Sequence, residues 1–297
     1  MNFSELGLDL QSVSKRAYQN IYYQSTFANF LNDAWMQVAR STGTPIIEVM
    51  VQKSTGVNVR EGSEITTPLT PKLATYQSVK VDLTELAMDY SFMVSPTVST
   101  VNISNTIQGQ IDTNDSDCAK KIDIYGYGKL NEEITGKADG SEAYTLGQTY
   151  DWSAVTKEDY ILALNTLNAI LFNRNISGGN MLGLAATEYA KFVSALTSIL
   201  KYETRTGVEG VDKGVFGNAY GVDTFQINDS VLGEDVAGYF ANKIATVGDM
   251  FFNAMTQYNG NYPGRPGYFV VEGNIMFGAK VVRPEAIIKL TKSAASV

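Results

Sequence analysis

Side chains able to carry out chemistry are scarce in this sequence. The chain contains no histidine and a single cysteine, Cys118. Without imidazole there is no Ser-His-Asp or Cys-His nucleophile, no histidine acid or base and no histidine-bound metal. One cysteine forms neither an intramolecular disulfide nor a zinc site built from several thiolates, a usage typical of cytosolic proteins. We therefore expect no catalytic residue of these classes and no cofactor, and we expect Cys118 to be a buried, inert thiol.

One acidic cluster has the appearance of a calcium-binding loop. It comprises Asp112, Asn114, Asp115 and Asp117. The sixth position of such a loop requires glycine for its sharp turn, and here that position is Asp117. The cluster therefore predicts a polar helix face and no metal site. Because Asp and Glu alone can serve as acid and base, a glycosidase built on two carboxylates stays open as an alternative.

Two glycine clusters also fail as cofactor motifs. Gly126 and Gly128 lack the third glycine of a dinucleotide fingerprint and follow a predicted helix instead of a strand. Gly214, Gly217 and Gly221 are not followed by the Lys-Ser/Thr pair of a phosphate-binding loop. Both clusters are typical of turns.

Composition describes an acidic chain that folds around its own core. Of 297 residues, 44% are hydrophobic and 18% are charged, with 23 basic and 31 acidic side chains and a net charge of −8. The acidic balance argues against a general nucleic-acid-binding protein, which needs clustered Lys and Arg. No apolar run reaches the roughly 18 residues of a membrane span, and the first ten residues lack the features of a signal peptide. We expect no membrane partner.

The N-terminal part is rich in aromatic residues. Phe27, Leu31, Ala34 and Val38 recur at helical spacing, so a short amphipathic helix is predicted there, preceded by an extended arm. Pro45 does not continue a helix. The aromatic rings of the arm must be buried on some surface.

From Ile46 the hydrophobic period changes to two, which predicts a strand, and a second strand is predicted over 79–83. The polar stretch 53–77 between them is too long for a tight turn and predicts a projecting two-stranded arm, which is marginal in water without another surface. The apolar phase then slips near Thr84 and Glu85. We interpret the slip as a strand that leaves the arm and enters a second sheet.

The remaining pattern predicts an α+β fold. A long helix is predicted from Ile103 to Tyr125, and a capped helix start at 156–159. The further predicted elements are a helix over 160–171, a strand over 181–184, a helix from 187, a strand over 222–227, a helix over 240–255, a β-hairpin over 268–282 with its turn at 272–274, and a last strand over 286–290.

Three stretches of sequence carry a resemblance. They are Ile161–Asn168, Gly214–Val222 leading to Ile227–Ser230, and Phe277–Ala286. With the order of the predicted elements, they resemble the major capsid protein of tailed bacteriophages, the Hong Kong 97-type fold, over about Tyr18 to Leu290. The resemblance implies an N-terminal arm, a projecting extension loop, a peripheral domain with a long spine helix over 101–130, and an axial domain.

The resemblance also implies a division of the chain. Residues 1–45 form the N-terminal arm, 46–95 the extension-loop hairpin and peripheral strands, and 96–155 the spine helix and crossing loop. Residues 156–279 form the axial domain and 280–297 the return strand and tail. The short stretch before the arm implies a separate scaffolding protein or none.

A structural function follows from the resemblance. The chain is expected to self-assemble through pentamers and hexamers into the icosahedral head shell around the double-stranded DNA of a tailed phage, in the virion, after assembly in the host bacterial cytoplasm. Expected partners are further copies, a scaffolding protein, a portal, and packaged DNA bound without sequence specificity. The sequence predicts no catalytic, cofactor-binding or metal-binding residue. An encapsulin-like nanocompartment shell stays open as an alternative, although the long 53–77 stretch favours the phage protein.

Candidate contact residues between subunits come from the aromatic arm and the polar stretch. They are Tyr22, Tyr23, Phe27, Arg60, Glu61, Glu64 and Lys72. The aromatic residues need a surface on which to be buried, and the charged ones are candidates for ion pairs across a seam, each worth about 0–1 kcal/mol.

Overall fold

The computed structural model describes residues 10–32, 46–53, 73, 75–95, 97, 103–135, 148–200, 218–219 and 221–292. Its helices are α1 (Leu10–Gln24), α2 (Ile103–Thr135), α3 (Tyr160–Asn173) and α4 (Ala186–Leu200). Its strands are β1 (Ile46–Lys53), β2 (Thr75–Asp82), β3 (Leu86–Val94), β4 (Gln148–Asp151), β5 (Asn180–Ala185), β6 (Asn218–Ala219), β7 (Val222–Ile227), β8 (Val236–Asn242), β9 (Thr246–Tyr262), β10 (Arg265–Val281) and β11 (Ile287–Thr291). The predicted α+β class is confirmed.

The strands form three sheets in the described part of the chain. β1 and β2 form a two-stranded antiparallel ribbon, and β3, β10 and β9 form a three-stranded antiparallel sheet in that order. The third sheet has the order β4-β11-β8-β5-β7-β6, with β4 parallel to β11 and β5 parallel to β7. Both larger sheets join segments that lie far apart in the sequence.

The predicted long helix is confirmed as α2, which we call the spine helix. Ile107, Ile111, Cys118 and Ile122 are buried along one side of it. These positions are three or four residues apart or a sum of such steps, so they share one face of a helix. That face packs against α1, β3 and β10.

The predicted phase slip marks the end of the ribbon. β2 ends at Asp82, the turn 83–85 follows, and β3 begins at Leu86 and pairs with β10. Val81 and Leu83 are buried on one side of the slip, and Met88, Tyr90 and Phe92 are buried on the other. The chain therefore leaves the ribbon for a different sheet, as the sequence predicts.

The six-stranded sheet and its helices also follow the sequence pattern. β5 is buried along its whole length, and α3 buries Leu164, Leu167 and Leu171 at helical spacing. The predicted cap is wrong in its contact: the Thr156 hydroxyl donates to the Asp159 carboxylate at 2.6 Å and makes no cap hydrogen bond to the backbone, and 157–159 form a 3-10 turn before α3. The predicted strands over 181–184, 222–227 and 286–290 and the helix from 187 are present within one or two residues.

The N-terminal prediction is wrong in its helix. Helix α1 occupies 10–24, where an extended arm was expected, and Phe27–Phe30 form only a short 3-10 turn. Both Phe27 and Phe30 are buried in the main core. The spacing of apolar residues after Phe27 reflects burial of a turn, and the rest of the predicted helix, 33–38, lies outside the described residues.

Two predictions near the C-terminus are also wrong. The predicted helix over 240–255 is the end of β8 and the first part of β9, and the predicted hairpin over 268–282 belongs to one strand, β10. The expected turn at Glu272–Asn274 is a register shift within the β9–β10 pair. The actual hairpin turn lies between Tyr262 and Arg265, where Gly264 has a positive φ of 75°.

The predicted domain ranges remain a prediction. The strand pairing does not follow chain order, since β9 and β10 pair with β3 while β4 lies beside β11 in the other sheet. One continuous core connects the two larger sheets, and it includes residues of α1, α2, α3 and α4.

Candidate assembly interface

The ribbon has one covered face and one open face. Its register runs from Ile46 opposite Asp82 to Lys53 opposite Thr75. On the covered face, the valines of both strands pack against Val247 and Val282 of the same chain. The sequence predicted a two-stranded arm that needs another surface, and for the described base of the ribbon that surface is the chain itself.

The open face carries large apolar side chains. Ile46, Met50 and Tyr76 are each more than half exposed, and Leu73, just before β2, is 88% exposed. Clusters of exposed apolar surface are typical of sites of protein association. These residues were not among the predicted contact residues, although the alternation of Ile46 and Met50 with the buried valines of β1 signals an outer face.

The predicted aromatic contact residues divide between surface and core. Tyr23 is 84% exposed, whereas Tyr22 is half-buried and stacks on Tyr18 with the ring centres 6.3 Å apart. Phe27 is 1% exposed, so its prediction as a contact between subunits is wrong. Its ring lies edge-on to Tyr127, with the ring centres 5.5 Å apart, and a Cβ at Gly126 would come within 2.3 Å of it. The predicted charged contact residues, Arg60, Glu61, Glu64 and Lys72, lie outside the described residues.

The residues after α1 are fixed to the spine helix by one buried carboxylate. Asp123 accepts hydrogen bonds from the Ser25 hydroxyl at 2.6 Å, from the Thr26 N–H and hydroxyl at 3.1 and 2.8 Å, and from the Phe27 N–H at 2.9 Å. Burial raises the pKa of Asp123 in spite of these bonds. The N-terminal turn is therefore an integral part of the subunit.

Two further carboxylates contact α1 itself. Tyr18 donates to Asp249 at 3.1 Å, and Asn20 donates to Asp115 at 2.9 Å. Asp115 also accepts from the buried Tyr90 hydroxyl at 2.9 Å, and burial raises the pKa of Asp115. This acid of the calcium-like cluster thus faces the protein interior.

The described residues contain no arrangement suited to metal chemistry. No group of three or more Cys, Asp or Glu side chains converges on a point in this part of the structure. Cys118 is buried, as predicted, and burial raises the pKa of its thiol to about 11, which disfavours the reactive thiolate. No helix in the described ranges is both long and apolar enough to cross a membrane.

A second ribbon extends beyond the three-stranded sheet. β3 covers β10 only from Phe269 to Phe277, so the tip of the β9–β10 hairpin is two-stranded. Tyr258 and Tyr262 meet edge-on at 5.0 Å between ring centres, and the Arg265 guanidinium lies 5.7 Å from the centre of the Tyr268 ring. The sequence did not reveal this tip, because a helix was predicted where β9 begins.

Comparisons with known proteins find structures that are similar in fold and low in sequence identity. No protein-family model matches the chain, and no curated protein matches it. A structure from Mycobacterium phage Che8 is 14% identical, with 90% of each chain covered and a TM-score of 0.61. The capsid structure of the cyanophage P-SCSP1u is 14% identical over 85% of this chain and 84% of the other, with a TM-score of 0.62. The capsid of an empty GTA particle is 14% identical over 84% and 86%, with a TM-score of 0.53.

These similarities extend over 84–90% of this chain. The chain has the Hong Kong 97-type fold.

Proposed function

We propose that this chain is the major capsid protein of a tailed phage and that its copies assemble into the icosahedral head shell around a double-stranded DNA genome. The observation that carries the proposal is the fold shared with the Che8 structure over 90% of both chains. The role is structural, and the chain is not an enzyme. An encapsulin-like shell is not favoured over this function.

The surfaces of the subunit support assembly. A closed shell requires each copy to make many modest contacts, which together hold firmly because they are made at once. The open face of the ribbon and the exposed Tyr23 provide apolar contact area. We propose contacts within pentamers and hexamers at Tyr22, Tyr23, Arg60, Glu61, Glu64 and Lys72.

The proposed partners follow from the same function. They are a separate scaffolding protein, a portal, and packaged DNA bound without sequence specificity. A net charge of −8 supports weak adhesion to DNA, since phosphate binding is carried by basic clusters. The proposed location is the virion, with assembly in the cytoplasm of the bacterial host.

The test is to purify the chain expressed alone and with a scaffolding protein from the same genome, and to examine both by negative-stain electron microscopy. We expect closed icosahedral particles in at least one preparation. Particles that enclose a specific protein cargo in infected cells, without DNA, would favour the encapsulin-like alternative. A monomer in every preparation, with activity on glycosides, would favour the carboxylate enzyme.

Deletion of 55–72 tests the contribution of the extension loop. The deletion leaves a connection of three residues between Lys53 and Thr75, a length that hairpins commonly use. These residues are Ser54, Leu73 and Ala74. We expect a folded subunit that forms no stable shell. The control replaces 55–72 with a Gly/Ser linker of equal length, which keeps the reach but removes the side chains and is expected to fail as well. Robust particles from the deletion would show that the loop is dispensable.

A further inference from the structure

The turn between the ribbon and β3 is fixed by its own side chains. The Asp82 carboxylate accepts hydrogen bonds from the Thr84 N–H at 2.8 Å and from the Thr84 hydroxyl at 2.7 Å. This is the local pattern by which aspartate stabilises a turn. The turn therefore has a defined shape, and whatever holds it also orients the ribbon that precedes it.

One acidic residue of this turn is bound to the spine helix. Glu85 accepts a hydrogen bond from the Tyr125 hydroxyl, and the Lys129 ammonium lies 3.1 Å from the same carboxylate oxygen. Lys129 also lies 5.5 Å from the centre of the Tyr125 ring. Tyr125 and Lys129 are one helical turn apart, so they present both donors on one face of α2.

The two donors are themselves held in place. The Tyr125 ring packs edge-on against Phe277 of β10, with the ring centres 5.9 Å apart. Burial first, and then the Glu85 carboxylate, raise the pKa of Tyr125, so this hydroxyl remains a donor over the whole physiological range. The position of the Glu85 carboxylate is thus set by a part of the spine helix that packs against β10.

The other side of the turn lies against β10 at a position where no side chain would fit. Leu86 pairs with Phe277 at the end of the β3–β10 ladder, and Gly278 comes next in β10. A Cβ at Gly278 would lie 1.9 Å from the Asp82 carbonyl oxygen, so the two backbones are in direct contact there. The turn therefore rests on β10 beneath it and is bound to α2 beside it.

We propose that Glu85 is a positioning residue: by binding Tyr125 and Lys129 while the turn rests on Gly278, it fixes the direction of the ribbon relative to the spine helix, in addition to the packing of the ribbon valines against the same chain. The proposal concerns the single subunit, and its importance for a shell rests on the proposed function.

The test measures the direction of the ribbon in the unassembled, full-length subunit. Spin labels are attached at Met50→Cys on the open face of β1 and at Lys121→Cys on the exposed face of α2, and their distance distribution is recorded by pulsed electron paramagnetic resonance. Cys118 is buried and does not compete for the label. We expect one narrow distribution in the parent and a distribution at least twice as wide in Glu85→Ala.

Two further variants separate positioning from general stability. Tyr125→Phe keeps the ring on Phe277 but removes the hydroxyl, and we expect intermediate widening. Glu132→Ala removes another carboxylate near Lys129, at 3.9 Å, which does not touch the turn, and we expect the width of the parent. The proposal is overturned if Glu85→Ala and Tyr125→Phe both keep the parental width, or if Glu132→Ala widens equally. Absence of particles from the parent would instead reject the proposed function and leave this measurement unaffected.

Discussion

The carboxylate of Asp123 receives four hydrogen bonds from three consecutive residues, Ser25 to Phe27. Its removal leaves buried backbone and hydroxyl donors without an acceptor, and each such donor costs about 1–3 kcal/mol. We expect Asp123→Ala to lower the free energy of unfolding by about 2–4 kcal/mol in urea denaturation. Asp117→Ala, at an exposed position of the same helix, should change it by less than about 0.5 kcal/mol. Equal effects of both variants would contradict the assigned role of Asp123.

The contact made by Glu85 depends on pH in a defined direction. The Tyr125 hydroxyl, followed by Lys129, lowers the pKa of Glu85 below its ordinary value of 4.5, while burial and Asp82 oppose this. With a lowered pKa in the folded state, the contact is fully present above 4.5 and is lost as the pH falls through the lowered value. We expect the spin-label distribution to stay narrow from pH 7 to pH 5 and to widen only below the ordinary value. Glu85→Gln has no carboxyl to protonate. If lowering the pH widens the distribution of this variant as much as that of the parent, the pH dependence belongs to another group.

At the scale of elements, helix α3 offers two leucines in opposite environments. Leu164 is 0% exposed and lies in the main core, whereas Leu162 on the outer side is 65% exposed. An unpaired charge at Leu164 has no partner in the core, so we expect Leu164→Asp to cost more than about 3 kcal/mol and to prevent stable folding. Leu162→Asp should keep the melting temperature of the parent in differential scanning calorimetry. Normal stability of Leu164→Asp would contradict the packing of α3.

Two glycines of the spine helix predict opposite effects of the same substitution. A methyl group added at Gly128 would meet no described atom outside its own helix within 4 Å, whereas one added at Gly126 would overlap the Phe27 ring at 2.3 Å. Because alanine favours helix by about 0.5–1 kcal/mol over glycine, Gly128→Ala should raise the free energy of unfolding by that amount. Gly126→Ala should lower it by about 1–3 kcal/mol, since it overpacks the core. Urea denaturation measures both changes, and stabilisation by both substitutions would mean that Phe27 does not pack on the helix.

The sequence predicted those elements in which the spacing of the apolar residues matches the face that is buried. The spine helix has one buried face, and the ribbon strands alternate, so both were found. Residues 240–255 were not, because Phe240, Ile244 and Val247 happen to be spaced as in a helix. Pairing with β11 and β10 decides the conformation of Phe240 and Val247, and Ile244 lies in the turn between β8 and β9. Similarly, the sequence around Gly273 indicates a turn, but in the structure Gly273 lies at a register shift within the long paired strand β10.

The candidate site was predicted only in part for a related reason. The sequence shows that the Phe27 ring needs a covering surface. It does not show whether that surface belongs to the same chain or to another copy. Here Gly126 creates space for the ring within the subunit, and that pairing is visible only in three dimensions. The Glu85 contact likewise depends on a turn and a helix that are 40 residues apart.

At the scale of the whole molecule, net charge opposes association between copies. Each subunit carries −8, so neighbouring copies repel one another over the Debye length, about 10 Å at 0.1 M salt. We expect monovalent salt to lower the protein concentration at which particles appear in light scattering. A neutral osmolyte at equal osmolality is the control, and a higher threshold concentration in salt would show that ion pairs between opposite charges dominate the seams.

The pairing of β3 with β10 and of β4 with β11 has a consequence for synthesis in the cell. Residues 86–94 meet their partners only at 269–277, and 148–151 only at 288–291. Neither sheet can therefore close while the C-terminal strands remain inside the ribosome. The apolar residues of β3 and β4 stay uncovered by these partners until residues 269–291 have been synthesised. This topology therefore exposes the growing chain to aggregation during synthesis.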